Sequence, residues 1–442
     1  MHKKIFTNYI EFLQFAFLHK DDLRNISFAN NRLLKFSTKT YRCEFAFDTG
    51  GLSPNKFAKE LGVQNYSSFV HCCLSKIKDF ETKDNFKLWK NGFFGGLIGI
   101  NQDIINKYCG SGEINTFFDY DINSAYLYTL TEFLPTKFVK KISYEEYLKI
   151  KEIDKIPFIY FFEIEVNKYN GEFLSSIGTI RKKYKHFDFL NSKQSNEMIV
   201  SEKRLNLIQQ IYFTSGIIKK NVYVFEKHKM SIYKKIVFEY MKQKNKLGAN
   251  FKKNALKLYG CLGQLKKRKV ESIGFDNDIL YVKQKEFWNE IASPQISMWV
   301  ADSVAEKIFN IIDTNFDKIL SWNTDGLTAI SPLNLQIGKN AGQFKFNKIV
   351  GFPILPTSES TRLVYFDIIK KDFVGSDCCV CEDGRFFQQV TTGKSDLKKG
   401  YVEETRNYEL KISTTFDSSK TLRSQIAKEK LKNIIYEKEM NF

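Results

Sequence analysis

Apolar residues recur along this chain with two different periods, and each period predicts a type of element. One set of branched aliphatic residues repeats every four positions and comprises Ile296, Val300, Val304, Ile308 and Ile312. That spacing places the set on one face of a helix. Residues 157–167 are β-branched and aromatic with partial alternation, which is typical of a strand in a sheet.

Short apolar runs also precede two aspartates that lie far apart in the chain. The aromatic run at 117–118 comes before Asp121, and the aliphatic run at 319–320 comes before Asp325. Each run predicts a strand that ends at its aspartate, so neighbouring strands could bring the two carboxylates to one site.

Further helices are expected elsewhere. Composition favours a helix between Lys242 and Tyr259, which follows a helical run beginning near Ser231. Residues 1 to about 90 mix short helical patterns, and the charged tail is expected to end in a helix around 422–439. We find no internal repeat and no low-complexity linker, so the pattern predicts one compact body with several parts.

Charge and composition narrow the class of protein. The chain has 68 basic and 50 acidic residues, a formal charge of +18, and 43% hydrophobic residues. This is a globular composition, and the charge favours a polyanionic partner such as nucleic acid. An AT-rich genome would also enrich lysine, so charge by itself decides little.

Cysteine and histidine usage indicates where the chemistry lies. The eight cysteines, with no secretory signal and no long apolar run, predict a reduced cytoplasmic protein. Cys378 and Cys381 form one C-x-x-C pair, but no second pair or nearby histidine completes a zinc site. The five histidines are not paired at metal-ligand spacing. Carboxylates are therefore expected to carry any chemistry.

Asp121 and Asp325 are the candidate catalytic residues. Nucleotidyl transfer needs two divalent ions about 4 Å apart, which two converging carboxylates can hold. Taken alone, Asp325 before Gly326 is more simply explained as a hairpin turn. Its pairing with the run Asp121 to Tyr126 (D-x-N-S-x-Y) favours the catalytic interpretation.

A set of aromatic and basic residues could bind a nucleotide, although each has a simpler explanation. Tyr126 could pack against the sugar of an incoming nucleotide, or could simply fill the core. Lys252 could offer its ammonium to phosphate while Tyr259, two turns further along the same helix face, meets the base. In so basic a chain, a single lysine is more often only a solvated surface residue. The predicted nucleotide-binding residues are Tyr126, Lys242, Lys252 and Tyr259.

From about Gly92 to at least Leu397 the chain resembles the protein-primed branch of the family B DNA polymerases. The segments that carry the resemblance are Phe93-Phe94-Gly95-Gly96, Asp121 to Tyr126, Leu134-Pro135, Lys252 with Tyr259-Gly260, Ser297-Met298-Trp299, Asn323-Thr324-Asp325-Gly326 and Tyr365. The resemblance implies metal binding by Asp121, Ile122 and Asp325. It also implies DNA binding by Gly95, Gly96, Ser297 and Tyr365.

The fold that the resemblance implies is an α+β right hand with an antiparallel palm, helical fingers and a small thumb. The implied parts are an N-terminal segment (1–90), the first palm part (91–167), an insertion resembling the terminal-protein region (168–238), fingers (239–262), an insertion resembling the strand-displacement region (263–290), the second palm part (291–370), and thumb with tail (371–442). The implied activity is template-directed, protein-primed DNA synthesis with Mg²⁺, or with Mn²⁺ in its place. The implied partners are primer-template DNA, dNTPs, a terminal protein and a separate exonuclease.

Several positions depart from the family pattern. Asn323 replaces the first Asp of D-T-D, which removes one negative charge from the site, and Leu256 and Leu363 replace the Asn of the fingers motif and the Lys of K-x-Y. Fewer than a hundred residues precede Phe93, so a proofreading exonuclease is not expected, and we interpret the D-x-E at 79–81 as coincidence. A catalytically weakened polymerase fold that only binds nucleic acid or terminal protein is the alternative. Untemplated or RNA-templated synthesis also stays open.

Overall fold

The structure is a computed structural model of the 442-residue chain. It describes most of residues 74–354, with gaps at 109–113, 167, 170–171, 174–195 (except Tyr184, Phe187 and Leu190), 214–215 and 277–278. Outside that range it describes residues 2–6, 15, 18–19, 22, 24–29, 33–46, 364–369, 372–375, 378–380, 386–388, 402–404 and 409–413. The helix expected at 422–439 lies outside the described residues.

Strands dominate the described part of the chain. In chain order they are β1 (His2–Phe6), β2 (Arg24–Ala29), β3 (Leu33–Ser37), β4 (Tyr41–Ala46), β5 (Leu97–Ile100), β6 (Asn115–Ile122), β7 (Phe133–Ser143), β8 (Phe158–Val166), β9 (Lys168–Tyr169), β10 (Glu172–Phe173), β11 (Glu197–Ser201), β12 (Ile217–Lys229), β13 (Lys266–Asp276), β14 (Ile279–Trp288), β15 (Ile319–Thr324), β16 (Gly326–Ala329), β17 (Phe344–Ile354), β18 (Val364–Asp367), β19 (Asp372–Gly375), β20 (Cys378–Val380), β21 (Phe386–Gln388), β22 (Val402–Glu404) and β23 (Glu409–Ser413).

The α-helices lie between these strands. They are α1 (Phe86–Asn91), α2 (Gln102–Tyr108), α3 (Ala125–Thr129), α4 (Tyr144–Leu148), α5 (Glu152–Lys155), α6 (Glu202–Ile211), α7 (Ser231–Leu262) and α8 (Pro294–Thr314), with short 3-10 turns at Ile77–Asp79 and Lys83–Asn85. The expected strand at 157–167 is confirmed as β8, and the expected start near Ser231 is confirmed by α7. The apolar stripe that repeats every four positions, Ile296 to Ile312, lies on α8, and each of its five members is at most 3% exposed.

The chain divides into two compact units. The larger spans 52–265 and 289–376 and holds a seven-stranded sheet in the order β19-β18-β17-β6-β16-β15-β5. Its neighbouring strands pair antiparallel. An apolar cluster that includes Ile105, Phe117 and Leu320, all 0% exposed, lies against this sheet. The sheet is therefore held in place by packing of its strands against a buried apolar core.

A second sheet of the larger unit has the order β11-β8-β12-β7 and is also antiparallel. Two of its strands, β11 and β12, come from the segment predicted to be an insertion at 168–238. Within the described part of that segment, β11 and β12 therefore belong to the same sheet as β7 and β8. The domain boundaries themselves stay predictions.

The D-x-E at 79–81 contacts neighbouring residues of the same unit. Asp79 accepts a hydrogen bond from the Lys76 amide at 2.7 Å. The 3% exposed side chain of Glu81 accepts hydrogen bonds from Asn85 and from the Tyr223 hydroxyl. These contacts explain both carboxylates as structural groups.

The smaller unit spans 1–51, 266–288 and 377–442. Its described residues form the sheets β1-β4-β3-β2 and β13-β14-β23-β22 and the pair β20-β21. Short helical patterns were expected over residues 1 to about 90, whereas the described residues of 2–46 form four paired strands. Apolar and charged residues alternate over 41–45, with Cys43 after Arg42 and Phe45 after Glu44. This alternation is typical of a strand, and the helical interpretation did not take it into account.

The α+β class with antiparallel sheets is confirmed. Assignment of palm, fingers and thumb stays a prediction. Among the described residues, no helix combines the length and apolar character needed to cross a membrane.

Candidate active site

Asp121 lies on β6, and Asp325 lies in the turn that leads into β16, the hydrogen-bonded neighbour of β6 in the seven-stranded sheet. Asp121 is opposite Gly326 in the β6–β16 register. The amide of Ile122, the residue after Asp121, donates a hydrogen bond to the carbonyl of Asp325 at 2.9 Å. Both side chains are neither buried nor fully exposed. The backbones of the two aspartates, 204 positions apart in the sequence, therefore lie side by side.

Asp325 is also part of a tight hairpin turn, which is the structure that the Asp325-Gly326 pair taken alone predicts. It is the one residue between β15 and β16, whose register pairs Asn323 with Gly326. Asp325 can therefore be both a turn residue and a candidate site residue, because the hairpin places it beside β6.

Backbone strain accompanies both aspartates. Among the described residues, the non-glycine residues with positive φ are Ser124, at 53°, and Thr324, at 65°. Ser124 follows Asp121 by three positions and precedes α3, and Thr324 directly precedes Asp325. Left-handed conformations of such residues cost about 1–3 kcal/mol each and cluster at functional sites. The surrounding contacts must hold these two turns in place.

The Gly95-Gly96 segment supports the Asp325 hairpin. A Cβ on Gly96 would lie 2.5 Å from Cγ2 and 2.7 Å from Cα of Thr324, whereas a Cβ on Gly95 would meet nothing within 4 Å. Only glycine at position 96 allows this close approach. The DNA contacts predicted for both glycines stay predictions.

Gly96→Ala is expected to destabilise the protein by about 1–3 kcal/mol, because the added methyl overlaps the backbone of the strained turn. We expect the primer-extension activity of this variant to fall together with its stability. Gly95→Ala is the matched control and should unfold at the wild-type urea concentration. Equal midpoints for the two variants would contradict the proposed packing.

Asn123 is a buried structural residue of the first motif. It is 2% exposed, and its side-chain amide donates to the Gly338 carbonyl at 2.7 Å. Its main-chain amide donates to Gln343, and its carbonyl accepts from Gly342, both at 2.8 Å. Asn123 therefore ties the loop before β17 to the end of β6. Nothing in the local sequence pattern indicated this contact.

Tyr126 and Tyr259 stack on each other. Their rings are 4.9 Å apart and inclined by 3°, which joins α3 to the C-terminal end of α7. Burial, and then the Asp325 carboxylate, raises the pKa of Tyr259 to about 12. Burial, the Tyr259 hydroxyl and Asp325 also raise the pKa of Tyr126. Both hydroxyls are therefore neutral at physiological pH and lie in the electrostatic field of Asp325.

The remaining predicted residues differ in their surroundings. Lys242 is exposed on α7, and Lys252 lies on the same helix, but its side chain is outside the described part. Ile122 is 2% exposed. Ser297 is 1% exposed and donates to the Tyr259 carbonyl, whereas Tyr365 is 4% exposed and lies 3.1 Å from the Ser321 hydroxyl. Nucleotide, metal and DNA contacts by these residues stay predictions, and the structure gives Ser297 and Tyr365 packing roles.

A buried ion pair that was not anticipated lies behind the glycine segment. The Arg204 and Asp302 side chains, each 1% exposed, are 2.8 Å apart. Arg204 also donates to the Gly95 carbonyl at 3.2 Å. A signal was available, because Asp302 lies four positions after Met298 and three before Ala305, on the apolar side of α8. A carboxylate in such a place requires a buried cationic partner.

Lys345 is the second charged residue that was not anticipated. It lies directly opposite Asp121 in the β6–β17 register. Its Nζ is 2.8 Å from Oδ2 of Asp121, and the two side chains are 47% and 41% exposed. The site therefore combines two carboxylates with one ammonium.

The oxygen donors of the candidate site are the carboxylates of Asp121 and Asp325. In the described ranges, no group of three or more His, Cys, Asp or Glu side chains is close enough to form a metal cluster. Two accessible carboxylates, one on β6 and one in the turn before β16, are nevertheless the hard oxygen donors that Mg²⁺ uses, since this ion usually keeps waters and takes one or two carboxylates plus phosphates. Asp121 and Asp325 fit such an ion.

No protein-family model and no curated protein matches the chain. Solved structures do match it. The fold is similar to that of Phi29 DNA polymerase. The complex of that polymerase with single-stranded DNA matches with a TM-score of 0.56 and 10% identity, over 94% of this chain and 89% of that one.

Two further complexes of Phi29 DNA polymerase agree. The one with primer-template DNA and incoming nucleotide substrates gives a TM-score of 0.53 at 10% identity, over 94% and 90% of the two chains. The post-translocation binary complex with primer-template DNA gives 0.52 at 10% identity, over 94% and 89%. At this identity the likeness to Phi29 DNA polymerase concerns the fold.

Proposed function

We propose that this protein is a template-directed DNA polymerase. The observation that carries the proposal is the placement of Asp121 on β6 and of Asp325 in the turn directly before the adjacent strand β16, with one hydrogen bond between their segments. The similarity of the fold to Phi29 DNA polymerase supports it, since those structures hold DNA and nucleotides. The formal charge of +18 suits a nucleic-acid partner.

Asp121 and Asp325 would hold divalent ions, with Mg²⁺ as the expected ion and Mn²⁺ as a substitute. Such ions, when bound, activate the attacking hydroxyl and stabilise the charge on the triphosphate. The residues of the chain position the reactants: Tyr126 and Tyr259 form a stacked wall beside Asp325, and Gly96 and Asn123 hold the two turns. Lys242 and Lys252 lie on the same helix as Tyr259 and would meet phosphate.

The finer assignment follows the same proposal. The seven-stranded sheet would be the palm, α7 would carry the fingers motif, and the region after 370 would contribute a thumb. Protein priming would require a terminal protein that offers a hydroxyl as primer. A primer supplied by DNA and one supplied by a protein hydroxyl can be compared in the same reaction.

The direct test is primer extension with purified protein, Mg²⁺, dNTPs and a primer-template. We expect incorporation that follows the template base, and removal of Mg²⁺ with EDTA should stop it. Incorporation that ignores the template would replace the proposal with untemplated synthesis. No incorporation with either metal would contradict it.

A second candidate function is binding without synthesis, which Asn323 favours. The side chain of Asn323 is exposed beside the Asp325 turn, where the family pattern has a carboxylate. Asn323→Asp restores that charge, and we expect no more than about a tenfold gain in incorporation, because the direct ligand is already present. A gain of several hundredfold from near-zero activity would favour the weakened-site explanation. Asn347→Asp on β17 is a control for added charge alone.

A further inference from the structure

Lys345 is brought to Asp121 by the sheet itself. The register fixes Phe344 opposite Ile122, Lys345 opposite Asp121 and Phe346 opposite Tyr120. Directly opposite residues of antiparallel strands project from the same face. Phe344, at 3% exposed, anchors the start of β17 in the core. The ammonium is therefore delivered to Asp121 by the backbone pairing.

Asp121 lies between two strands with different charges. On one side β16 follows Asp325, and on the other side β17 carries Lys345. A carboxylate oxygen that accepts a hydrogen bond from an ammonium is less available to a cation, and the ammonium also repels the cation. The pair is solvent-exposed, so it is weak enough to exchange.

Lys345 also acts on the helix that carries the candidate nucleotide residues. Burial raises the pKa of Tyr240 on α7, and a hydrogen bond with Ser124 and then the charge of Lys345 oppose that rise. Tyr240 lies two positions before Lys242 on α7. The ammonium of Lys345 therefore lies within electrostatic reach of both Asp121 and this helix.

We propose that Lys345 is a positioning residue that couples metal binding to nucleotide binding. This inference rests on the proposed function. Without nucleotide, Lys345 occupies Asp121 and competes with the divalent ion. When a triphosphate enters, the ammonium transfers its hydrogen bond from the Asp121 carboxylate to a phosphate oxygen, and Asp121 is released to the ion that accompanies the triphosphate. No covalent bond is made or broken in this exchange.

Mn²⁺ binding, measured by electron paramagnetic resonance or calorimetry, tests the proposal without turnover. Lys345→Met should raise Mn²⁺ affinity on the order of tenfold in the absence of nucleotide, because one nearby positive charge is removed. Lys345→Arg should keep the wild-type affinity. Lys348→Met is the matched control, since Lys348 lies on the same strand but on the opposite face. It should have no effect.

The coupling itself is measured by adding a non-hydrolysable dNTP analogue. In wild type the analogue should raise Mn²⁺ affinity, and in Lys345→Met this increase should be smaller, because binding free energies of two ligands are reciprocally linked. In turnover, Lys345→Met should lower the Mg²⁺ concentration at half-saturation and raise KM for dNTP more than it changes kcat.

The two proposals fail in different ways. Equal Mn²⁺ affinity in wild type and Lys345→Met, or an equal response of both to the analogue, would overturn the role of Lys345 whatever the activity. Asp121→Asn must abolish the tight Mn²⁺ binding of Lys345→Met, and binding that survives this change would also overturn it. Absence of template-dependent incorporation by wild type would instead overturn the polymerase assignment. Unchanged thermal melting of each variant shows that folding is intact.

Discussion

Asp325→Asn is expected to reduce primer extension by at least about a hundredfold, because it removes a charged oxygen donor where charge develops during nucleotidyl transfer. Asn keeps the size of the side chain and suits the left-handed and turn conformations of a hairpin. The β15–β16 turn should therefore stay folded. Single-nucleotide incorporation with Mg²⁺, together with thermal melting, measures the two effects separately. Asp121→Asn should behave in the same way.

The control for charge loss is Asp119→Asn. Asp119 lies two residues before Asp121 on β6, on the same face, and accepts a hydrogen bond from the Thr328 hydroxyl at 3.1 Å. Removing its charge should change stability by about 1 kcal/mol at most and leave incorporation close to wild type. If Asp325→Asn keeps full incorporation, or if Asp119→Asn loses as much, Asp121 and Asp325 do not form the active site.

Arg204→Met is expected to lower the free energy of unfolding by about 3–5 kcal/mol, since it leaves the Asp302 carboxylate buried without a cation. Burial already raises the pKa of Asp302, and Arg204 is the first of the groups that lower it. The loss of Arg204 therefore removes the main stabilisation of the charged form. Urea denaturation followed by tryptophan fluorescence measures the change.

The double variant Arg204→Met with Asp302→Leu separates charge from shape. Replacing both members of a buried pair with apolar residues of similar size is often neutral, so most of the lost stability should return. Incorporation should be lower than in wild type in both Arg204→Met and the double variant, because both lack the hydrogen bond to the Gly95 carbonyl and Gly95 precedes the glycine that contacts Thr324. Full recovery of both quantities would limit the pair to a packing role.

Local pattern was enough for the elements with strong periodicity. The α8 stripe and the β8 run were predicted because one face of a helix, or a buried strand, must be apolar throughout. The four strands β1 to β4 were not predicted, because short strands give a weak signal that partial helical spacing can imitate. The two aspartates were predicted as a pair from their strand-like surroundings and from the family resemblance.

The rest of the site depends on contacts between distant segments. Arg204 and Asp302 are 98 positions apart, Lys345 and Asp121 are 224 apart, and Asn123 holds a loop 215 positions away. No local pattern specifies such partners. The only advance sign was the carboxylate of Asp302 on an apolar helix face.

By itself, the sequence predicted the mixed class of the fold and the elements around its main apolar stripes. It also supplied Asp121 and Asp325, with Tyr126 and Tyr259, as candidate site residues. Tertiary structure alone decided that β17 pairs with β6 and brings Lys345 to Asp121, and that Gly96 lies against Thr324. The physical reason is that pairing and register between strands remote in the chain are set by which faces can be buried together. That burial depends on the whole sheet and its core.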